Sequence, residues 1–540
     1  MDEPAGPARS GVPAALPDGV PAAIRRPVPY AVSTVLDPTV ATAPDRDAVV
    51  ARSGRLSYAD LDRAGNQAAR ALFALGVRAG DRVGVTLPND LDVVVAFHAV
   101  MRLGAVWVGV NRSLALPEQR FILDDAGARI LLADDQRASE HRALVTELDE
   151  LERVVIVDPC ADGSEWAARL DAQPTDPLDV TVDPFAPAGI AYTSGTTGFP
   201  KGVVHSQHNL MLMAAGTVSS RGYGPDLRKG DCMALTILNM QALATVLVAQ
   251  AGGTCVIMDR MDAVGIAAWI RAERVTVWNG VPAILHSMTT DPSIVPDDLA
   301  TLLEVWTGGG DCPAAVRDGF TAKFTKSPRA TYGLTEAPAL VTIDDPVGEH
   351  VGGGSGLPLP QVTVSIRDPD GRDLPAGETG EICVGPSSRG PWAGLYRPML
   401  GYHGRPDATR DALAGGVLHT GDLGYLDADG VLHVRDRKNL MIVRGGSNVY
   451  PAEVERVLHE VPGVAACAVL GLADDRLGER VVAAVEPEPG VSVSTDALTE
   501  HCRQSLARYK VPERFVMVEA FTRNAMGKID RTALPALFTP

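Results

Sequence analysis

The chain has 540 residues, of which 46% are hydrophobic and 21% are charged, and its formal net charge at pH 7 is −18. This length exceeds that of one compact domain, so we expect two or more domains. The acidic balance argues against non-specific binding to nucleic acid or to an anionic membrane surface, because both need a basic surface. No apolar run reaches the ~18 residues of a membrane span.

The N-terminus and the cysteines point to a cytoplasmic protein. Residues 1–27 are predicted to be a disordered tail, because they are rich in Ala, Pro and Gly and carry Asp2 and Glu3 where a secretion signal would carry basic residues. The seven cysteines are scattered, without a Cys-x-x-Cys pair or a Cys/His cluster. This spacing favours reduced thiols and no structural zinc.

Helix and strand patterns alternate through the first part of the chain. Apolar residues recur at helical spacing over 57–75, a strand pattern follows at 82–87, and an almost wholly apolar helix is predicted over 91–103. Such alternation is typical of buried parallel sheets covered by helices. Further strands are predicted at 105–110, 129–132, 255–258 and 275–278.

The pattern changes at about residue 360, where short strands are joined by turn residues. Segments 362–366, 380–384 and 425–434 alternate in strand fashion, and Asp429-Gly430 is a hairpin signal. These features predict a small antiparallel β subdomain over about 360–436. After it the pattern resets to a helix that begins near Pro451, and strands and a helix then alternate to the end of the chain.

The predicted fold class is therefore α/β with two parts. The large N-terminal domain covers 28–437 and contains two layered subdomains with mixed or parallel sheets, besides the antiparallel β subdomain. The smaller C-terminal domain, of α+β type, covers 438–540 and has the usual size of a domain.

Residues 192–203 read Tyr-Thr-Ser-Gly-Thr-Thr-Gly-Phe-Pro-Lys-Gly-Val and are suited to binding a polyphosphate. Glycines let backbone N–H groups turn inward, hydroxyls add donors, and a lysine supplies a point charge for phosphate oxygens. The spacing is not that of a Walker loop, and a polar surface loop is the alternative interpretation. The binding residues would be Thr193, Ser194, Gly195, Thr196, Thr197, Gly198 and Lys201.

This run resembles the phosphate loop of the adenylate-forming superfamily, which comprises acyl-CoA synthetases, adenylation domains of peptide synthetases and beetle luciferases. Four further stretches match the superfamily in its order. Each has a structural alternative, such as a core aromatic or a surface lysine, and it is their joint occurrence that supports the resemblance. They are Trp-Thr-Gly-Gly-Gly at 306–310, Thr-Tyr-Gly-Leu-Thr-Glu at 331–336, His-Thr-Gly-Asp-Leu-Gly at 419–424 and Asn-Ala-Met-Gly-Lys-Ile at 524–529.

The resemblance assigns a role to each stretch. Thr335 would contact the α-phosphate, Glu336 would hold Mg²⁺, and Lys528 would serve the adenylation step together with Lys201. Asp422 and Arg437 would bind the ribose hydroxyls. The adenine site would comprise Gly308, Gly309, Gly310, Tyr332 and Gly333.

The resemblance implies an ATP-dependent carboxylate–CoA ligase that uses ATP, Mg²⁺ and coenzyme A. The acid and ATP give an acyl-adenylate and pyrophosphate, and coenzyme A then gives acyl-CoA and AMP. Between the steps the C-terminal domain rotates about a hinge at Asn439, and a loop containing Gly445 and Gly446 enters to line a pantetheine tunnel. The acid would be a bulky or hydrophobic small molecule, and a homodimer is left open. The acyl pocket would include Asn239, Gln241, Trp306 and Gly308.

Two departures from the family pattern leave alternatives open. Asn239 stands where histidine or an aromatic residue is frequent, and Asn439 stands where the hinge usually carries Asp or Lys. The chain could instead be a thioester-forming half-enzyme that uses a supplied acyl-adenylate, or a ligase that loads a separate acyl carrier protein. A non-catalytic acyl-nucleotide sensor and a light-emitting oxygenase are further alternatives with the same fold.

Overall fold

The computed structural model describes residues 31–157, 164–193, 200–308, 312, 314–437, 442–449, 451–488, 490–522, 529 and 531–538. For residues 283, 315, 435–437, 452 and 531–533 it describes the backbone only. No helix within these ranges is long and apolar enough to cross a membrane.

Several helices begin where the sequence supplies a capping residue. Ser57 and Asp60 form a capping box at the start of one helix, and the Asp90 side chain accepts from the first N–H group of the next. The helices are α1 (Asp37–Thr42), α2 (Tyr58–Ala74), α3 (Leu91–Arg102), α4 (Leu116–Ala126), α5 (Ala138–Ala143), α6 (Glu165–Asp171), α7 (Gln207–Arg221), α8 (Leu238–Gln241), α9 (Leu247–Ala251), α10 (Ala263–Ala272), α11 (Pro282–Thr290), α12 (Ala314–Phe324), α13 (Pro406–Ala412), α14 (Pro451–His459) and α15 (Thr495–Ser505).

The strands form four sheets within the described residues. They are β1 (Asp47–Ala51), β2 (Gly54–Ser57), β3 (Arg82–Thr86), β4 (Val106–Gly109), β5 (Ile130–Ala133), β6 (Arg153–Ile156), β7 (Pro187–Thr193), β8 (Lys201–Ser206), β9 (Arg228–Asp231), β10 (Thr254–Ile257), β11 (Val277–Gly280), β12 (Glu304–Thr307), β13 (Arg329–Leu334), β14 (Ala337–Ile343), β15 (Leu357–Pro358), β16 (Val362–Arg367), β17 (Gly380–Pro386), β18 (Gly401–Tyr402), β19 (Leu418–Leu426), β20 (Leu432–Arg437), β21 (Ile442–Arg444), β22 (Ser447–Val449), β23 (Val464–Asp474), β24 (Gly478–Pro487) and β25 (Arg514–Met517).

Two large mixed sheets form the bulk of the N-terminal part. The first sheet has the order β15-β14-β13-β12-β11-β9-β10-β1-β2 and is parallel from β13 to β1. The second sheet has the order β18-β8-β7-β4-β3-β5-β6 and is parallel from β7 to β6. The predicted parallel sheets are thus confirmed at their centres. Both sheets add antiparallel strands at an edge, which strand periodicity alone does not predict.

The third and fourth sheets follow in chain order. The third sheet, β16-β17-β19-β20, is antiparallel throughout and confirms the predicted antiparallel subdomain. Its β19–β20 hairpin contains Asp429 and Gly430, and Gly430 has a φ of +81°. The fourth sheet, β22-β21-β24-β23 with β25 beside β24, packs against α14 and α15.

Two predicted strands begin at least two residues away from their predicted starts. The segment predicted at 275–278 forms a strand at Val277–Gly280, and Val275 still donates its N–H group to the Ile270 carbonyl oxygen at the end of α10. The third sheet also begins one of its strands earlier than predicted, since β19 starts at Leu418. Residues 419–422 therefore lie within a strand and not in a connecting loop.

A buried ion cluster joins the C-terminal domain to the N-terminal domain. Lys510 Nζ lies 2.6 Å from Glu118 Oε1, in α4, and 2.8 Å from Glu453 Oε1, in α14. Lys510 is 5% exposed and Glu453 is 2% exposed. Burial raises the pKa of the Glu453 carboxyl group, while the attraction of Lys510 opposes that rise. The cluster thus depends on one cation placed between two carboxylates.

We expect Lys510→Ala to destabilise the protein by about 3–5 kcal/mol, because it leaves two carboxylates buried without their cation. Differential scanning calorimetry of the variant should show a lower unfolding temperature for the C-terminal part. Lys326→Ala removes a partly exposed lysine outside this cluster and serves as the control. Equal unfolding temperatures for Lys510→Ala and the wild type would show that the cluster contributes no net stability.

Candidate functional site

The hairpin of β7 and β8, called here the phosphate hairpin, joins the two ends of the predicted polyphosphate loop. Thr193 ends β7, Lys201 begins β8, and the two residues lie opposite each other in the antiparallel register. The hairpin therefore places a hydroxyl-bearing and an ammonium-bearing residue side by side. The intervening predicted residues Ser194, Gly195, Thr196, Thr197 and Gly198 lie outside the described residues.

Tyr192 attaches the phosphate hairpin to a neighbouring helix. Its hydroxyl donates to Asp125 Oδ2, in α4, at 2.8 Å, and Arg405 Nη2 lies 3.2 Å from Asp125 Oδ1. Burial raises the pKa of the Tyr192 hydroxyl, and the negative charge of Asp125 raises it further. The hydroxyl therefore stays protonated and remains a hydrogen-bond donor.

Thr335 and Glu336 form the turn between β13 and β14, two residues after Gly333. The backbone of this turn is held from two other segments of the chain. His205 Nε2 lies 2.6 Å from the Thr335 carbonyl oxygen, and the Met399 N–H group donates to the Glu336 carbonyl oxygen at 2.8 Å. His205 is fully buried, and burial lowers its pKa to about 4, so a neutral imidazole donates this hydrogen bond at neutral pH.

Tyr402 contacts both the predicted phosphate lysine and the predicted metal carboxylate. Its hydroxyl donates to Glu336 Oε1 at 2.8 Å, and Lys201 Nζ lies 5.3 Å from the centroid of its ring. The structure thus brings Lys201, Thr335 and Glu336 together at the edge where the first and second sheets meet. Neither Tyr402 nor His205 is among the residues that the sequence motifs single out.

Tyr332 and Asp422 connect the first sheet to the third. The Tyr332 hydroxyl donates to Asp422 Oδ2 at 2.7 Å, and both side chains are buried. Arg437 stands opposite Asp422 in the β19–β20 register, although its side chain lies outside the described part of the chain. The expected adenine and ribose residues therefore share one location, while their roles remain predictions.

The strand that carries Asp422 is bent and held by side chains from β17. Gly421 has a φ of +73°, and its N–H group donates to Glu381 Oε1 at 3.2 Å. His419 Nδ1 lies 3.1 Å from Glu381 Oε2 and 3.5 Å from Cys383 Sγ. Strand pairing places Cys383 opposite His419, so these residues form a cluster with Glu381 that their spacing in the chain does not reveal.

Gly308 follows β12 at a point where a side chain would collide with the next strand. A Cβ atom at Gly308 would lie 2.1 Å from Thr331 Oγ1, which donates to the Thr307 carbonyl oxygen at 3.1 Å. A larger residue would therefore displace Thr331. The neighbouring predicted residues Gly309 and Gly310 lie outside the described residues.

Trp306 is enclosed by other side chains in the first sheet. Its Nε1 donates to Glu304 Oε2 at 3.0 Å, its ring stacks on Tyr223 with centroids 6.3 Å apart, and Lys229 Nζ lies 5.3 Å from its centroid. Lys229 is itself fully buried and paired with Asp231. If Trp306 borders an acyl pocket, as predicted, it does so as a fixed wall.

Asn239 and Gln241 differ in how their amide groups are used. Gln241 is buried, its Nε2 donates to the Leu235 carbonyl oxygen at 2.7 Å, and its Oε1 accepts from Thr245 Oγ1 at 3.0 Å. Asn239 Oδ1 is also buried, but it has no hydrogen-bond partner within the described ranges. Asn239 is thus the better placed of the two to contact a bound molecule. The assignment of both residues to an acyl pocket remains a prediction.

The loop between β21 and β22 reaches the N-terminal part of the chain. Gly446 has a φ of +83°, and a Cβ atom there would lie 2.7 Å from Val281 Cγ1, between β11 and α11. Gly445 also has a positive φ, and Arg444 Nη1 donates to the Tyr509 carbonyl oxygen at 2.8 Å. The predicted hinge Asn439 and adenylation residue Lys528 lie outside the described residues.

Comparisons with known proteins identify relatives of this chain. The family model for AMP-binding enzymes matches residues 36–393, and the model for the AMP-binding enzyme C-terminal domain matches residues 453–528. The long-chain-fatty-acid–CoA ligase FadD13 of Mycobacterium tuberculosis is 34% identical over 89% of this chain and 92% of its own. The fatty acid–acyl-carrier-protein ligase ScoC of Streptomyces coeruleorubidus is 35% identical over 91% and 93%. The structure of the amide bond synthetase McbA of Marinactinospora thermotolerans has a TM-score of 0.84 and 29% identity, with 95% and 100% of the chains covered.

We expect His205→Leu to lower stability by about 1–3 kcal/mol at neutral pH, because the Thr335 carbonyl oxygen loses a buried donor. The pKa of His205 is about 4 in the folded protein against an ordinary value of 6.5. The unfolded chain therefore binds more protons below the ordinary pKa, and wild-type stability falls as the pH drops through this window.

The variant lacks this titration, so its stability deficit should shrink between about pH 7.5 and about pH 5. Calorimetric unfolding at the two pH values measures the change. His286→Leu, which alters a partly exposed histidine outside this turn, is measured alongside as the comparison variant. A deficit of equal size at both pH values would contradict the assignment of a neutral, buried His205.

Proposed function

Because this chain belongs to the AMP-binding enzyme family, in the acyl-CoA ligase branch of the adenylate-forming superfamily, we propose that it activates a hydrophobic carboxylic acid at the phosphate hairpin and transfers the acyl group to coenzyme A. It is an AMP-forming acid–thiol ligase. The observation that carries the proposal is the meeting of Lys201 and Glu336 at Tyr402, with Thr335 next to Glu336 in a turn that His205 holds. These side chains supply a cation, a hydroxyl and a carboxylate at one place.

In the first step a carboxylate oxygen attacks the α-phosphorus of ATP. A new P–O bond forms, the bond to pyrophosphate breaks, and the acyl group is left on AMP. The main difficulty is electrostatic, because two anions must meet and charge develops on the phosphate oxygens. Lys201 would offset that charge, and the hydroxyls of Thr193 and Thr335 would donate to phosphate oxygens. Lys528 would join them in this step.

The residues of the Thr335–Glu336 turn suit a magnesium ion. Mg²⁺ prefers oxygen ligands, often one or two carboxylates together with phosphate oxygens. Glu336 offers a partly exposed carboxylate, one oxygen of which is held by a neutral hydroxyl. When bound there, the ion would neutralise charge on the phosphates.

In the second step the sulfur of coenzyme A attacks the acyl carbonyl carbon, a C–S bond forms, and AMP leaves as the C–O bond breaks. The loop with Gly445 and Gly446 would line the approach of the pantetheine arm. The contact of Gly446 with Val281 supports this step, since it brings the loop to the N-terminal domain. The rotation that admits Lys528 would then have to separate Lys510 from Glu118.

The proposal also specifies the acyl acceptor and the class of carboxylic acid. FadD13, ScoC and McbA are named for coenzyme A, a carrier protein and amide formation, respectively. The Gly-Gly-Ser-Asn-Val-Tyr-Pro run at 445–451 resembles acyl-CoA synthetases most closely and favours coenzyme A. We propose a bulky or hydrophobic acid, with Asn239 Oδ1 as an acceptor near it. We propose a cytoplasmic location, because ATP and coenzyme A are supplied there.

The test is pyrophosphate release from ATP across a panel of aliphatic and aromatic carboxylic acids, with and without coenzyme A. Mass spectrometry of the same reactions identifies acyl-AMP and acyl-CoA. We expect release with at least one hydrophobic acid and conversion of its adenylate to acyl-CoA. Parallel reactions with a carrier protein and with amines compare the acceptors.

Other outcomes separate the alternatives. Acyl-CoA formed only from synthetic acyl-adenylates would replace the proposal with a thioester-forming half-enzyme. Product on a carrier protein or an amine, without acyl-CoA, would change the acceptor. Nucleotide binding without any product would indicate a sensor.

Lys528→Ala is expected to reduce acyl-AMP formation by about 100-fold or more, because a cation that offsets developing charge is lost. The same variant should convert a supplied acyl-adenylate to acyl-CoA at nearly the wild-type rate. Stopped assays of the two half-reactions measure both rates. Equal loss in both would contradict the assignment of Lys528 to adenylation alone.

Gly446→Trp is expected to have the reciprocal effect, with adenylation retained and thioester formation blocked, because the indole would fill the space against Val281. Gly430→Trp is a matched control, since Gly430 has a similar φ of +81° in an open turn. Both variants carry similar backbone strain. If the two variants transfer to coenzyme A equally well, the loop does not line the thiol path.

A further inference from the structure

Among the side chains that the structure describes, that of Tyr402 contacts both Glu336 and Lys201, two charged residues of the proposed ATP site. Its hydroxyl donates to Glu336 Oε1 at 2.8 Å, and the face of its ring lies 5.3 Å from Lys201 Nζ. A phenol is neutral at physiological pH. It can therefore bind a carboxylate at one end and attract a cation to its ring without neutralising either.

The backbone around Tyr402 is tied to the phosphate hairpin. In β18, Gly401 and Tyr402 pair with Val204 and Val203 of β8. The His403 N–H group donates to the Gly202 carbonyl oxygen at 2.7 Å, immediately after Lys201. Tyr402 therefore has a fixed position relative to the lysine of the hairpin.

The same segment also fixes the turn that carries Glu336. The Met399 N–H group donates to the Glu336 carbonyl oxygen at 2.8 Å, so residues 399–402 hold both the backbone and the carboxylate of Glu336. The Tyr402 N–H group in turn donates to Thr409 Oγ1, in α13, at 2.9 Å. The segment is thus a rigid connection between Lys201 and Glu336.

Oppositely charged side chains such as those of Lys201 and Glu336 attract each other strongly when they are close together and partly buried. A direct ion pair between Lys201 and Glu336 would occupy the ammonium group that should meet phosphate and the carboxylate that should meet a cation. Tyr402 holds Glu336 through one oxygen, so the second oxygen can serve as a ligand. It also offers Lys201 a weak, easily replaced contact.

We propose that Tyr402 is a positioning residue that keeps Lys201 and Glu336 apart and orients each toward the nucleotide and its metal ion. This inference rests on the proposed function. The hydroxyl sets the metal dependence of nucleotide binding through Glu336, and the ring sets the metal-independent part through Lys201.

The test compares the affinity for α,β-methylene-ATP in the presence of Mg²⁺ and in the presence of EDTA, measured by isothermal titration calorimetry. The dissociation constant in EDTA divided by that in Mg²⁺, called here the metal ratio, isolates the effect of the metal ion. No carboxylic acid is needed for the measurement. Tyr402→Phe should reduce this ratio about tenfold, because Glu336 loses a charge-assisted hydrogen bond. Its affinity in EDTA should remain that of the wild type, since the ring is kept.

Tyr402→Leu should reduce the ratio equally and also weaken binding in EDTA about two- to fivefold, because Lys201 loses its aromatic contact. Tyr396→Phe is the matched control, since Tyr396 is a buried tyrosine whose hydroxyl has no partner among the described residues. It should leave both constants unchanged. A role of Tyr402 in packing alone would change the unfolding temperature but not the ratio.

A Tyr402→Phe variant with the wild-type ratio would overturn this inference and leave the proposed function standing. A wild-type protein that binds the analogue under neither condition would overturn the proposed function itself, and with it the role of Tyr402. The two failures are therefore distinguishable in the same set of titrations.

Discussion

The proposed site has to hold fixed charges near a polyphosphate in a protein whose own net charge is −18. Such a protein repels anions at long range, so cations must be placed locally and kept from pairing with nearby carboxylates. The phosphate hairpin places Lys201 opposite Thr193, and Tyr192 attaches the hairpin to Asp125. The remaining elements of the site are built around this anchored hairpin.

The sequence predicted the regular elements and the motifs because both are local. Helix α2 and the β19–β20 hairpin follow from apolar spacing and from Asp429-Gly430. Tyr402 and His205 escaped detection for the opposite reason. Their partners Glu336 and Thr335 are 66 and 130 residues away in the chain. Only the pairing of β18 with β8, and of β13 with its neighbours, brings these groups into contact.

Residue type alone also failed to show how each polar group is used. Asn239 and Gln241 look equivalent as candidate pocket amides, yet Gln241 is engaged by Leu235 and Thr245 within the fold. Cys383 and His419 are far apart in the chain, yet they lie opposite each other on the neighbouring strands β17 and β19. A buried polar group must find partners, and the sequence does not state whether those partners come from the protein or from a ligand.

The contacts between the N-terminal and C-terminal domains suit the domain rotation that the proposed function requires. Removal of the Lys510 side chain leaves two buried carboxylates without a cation. Separation of the intact domains instead exposes both Glu118 and Lys510 to water. Hydration of the separated charges offsets much of the attraction that is lost, so a buried ion pair can orient a domain without fixing it permanently. The contact of Gly446 with Val281 is small, because Gly446 presents only backbone atoms to that side chain. The interface also includes apolar packing, since Ala507 and Tyr509 join the cluster around Leu114 and Ile122, and the ion cluster and the glycine loop give it a specific geometry.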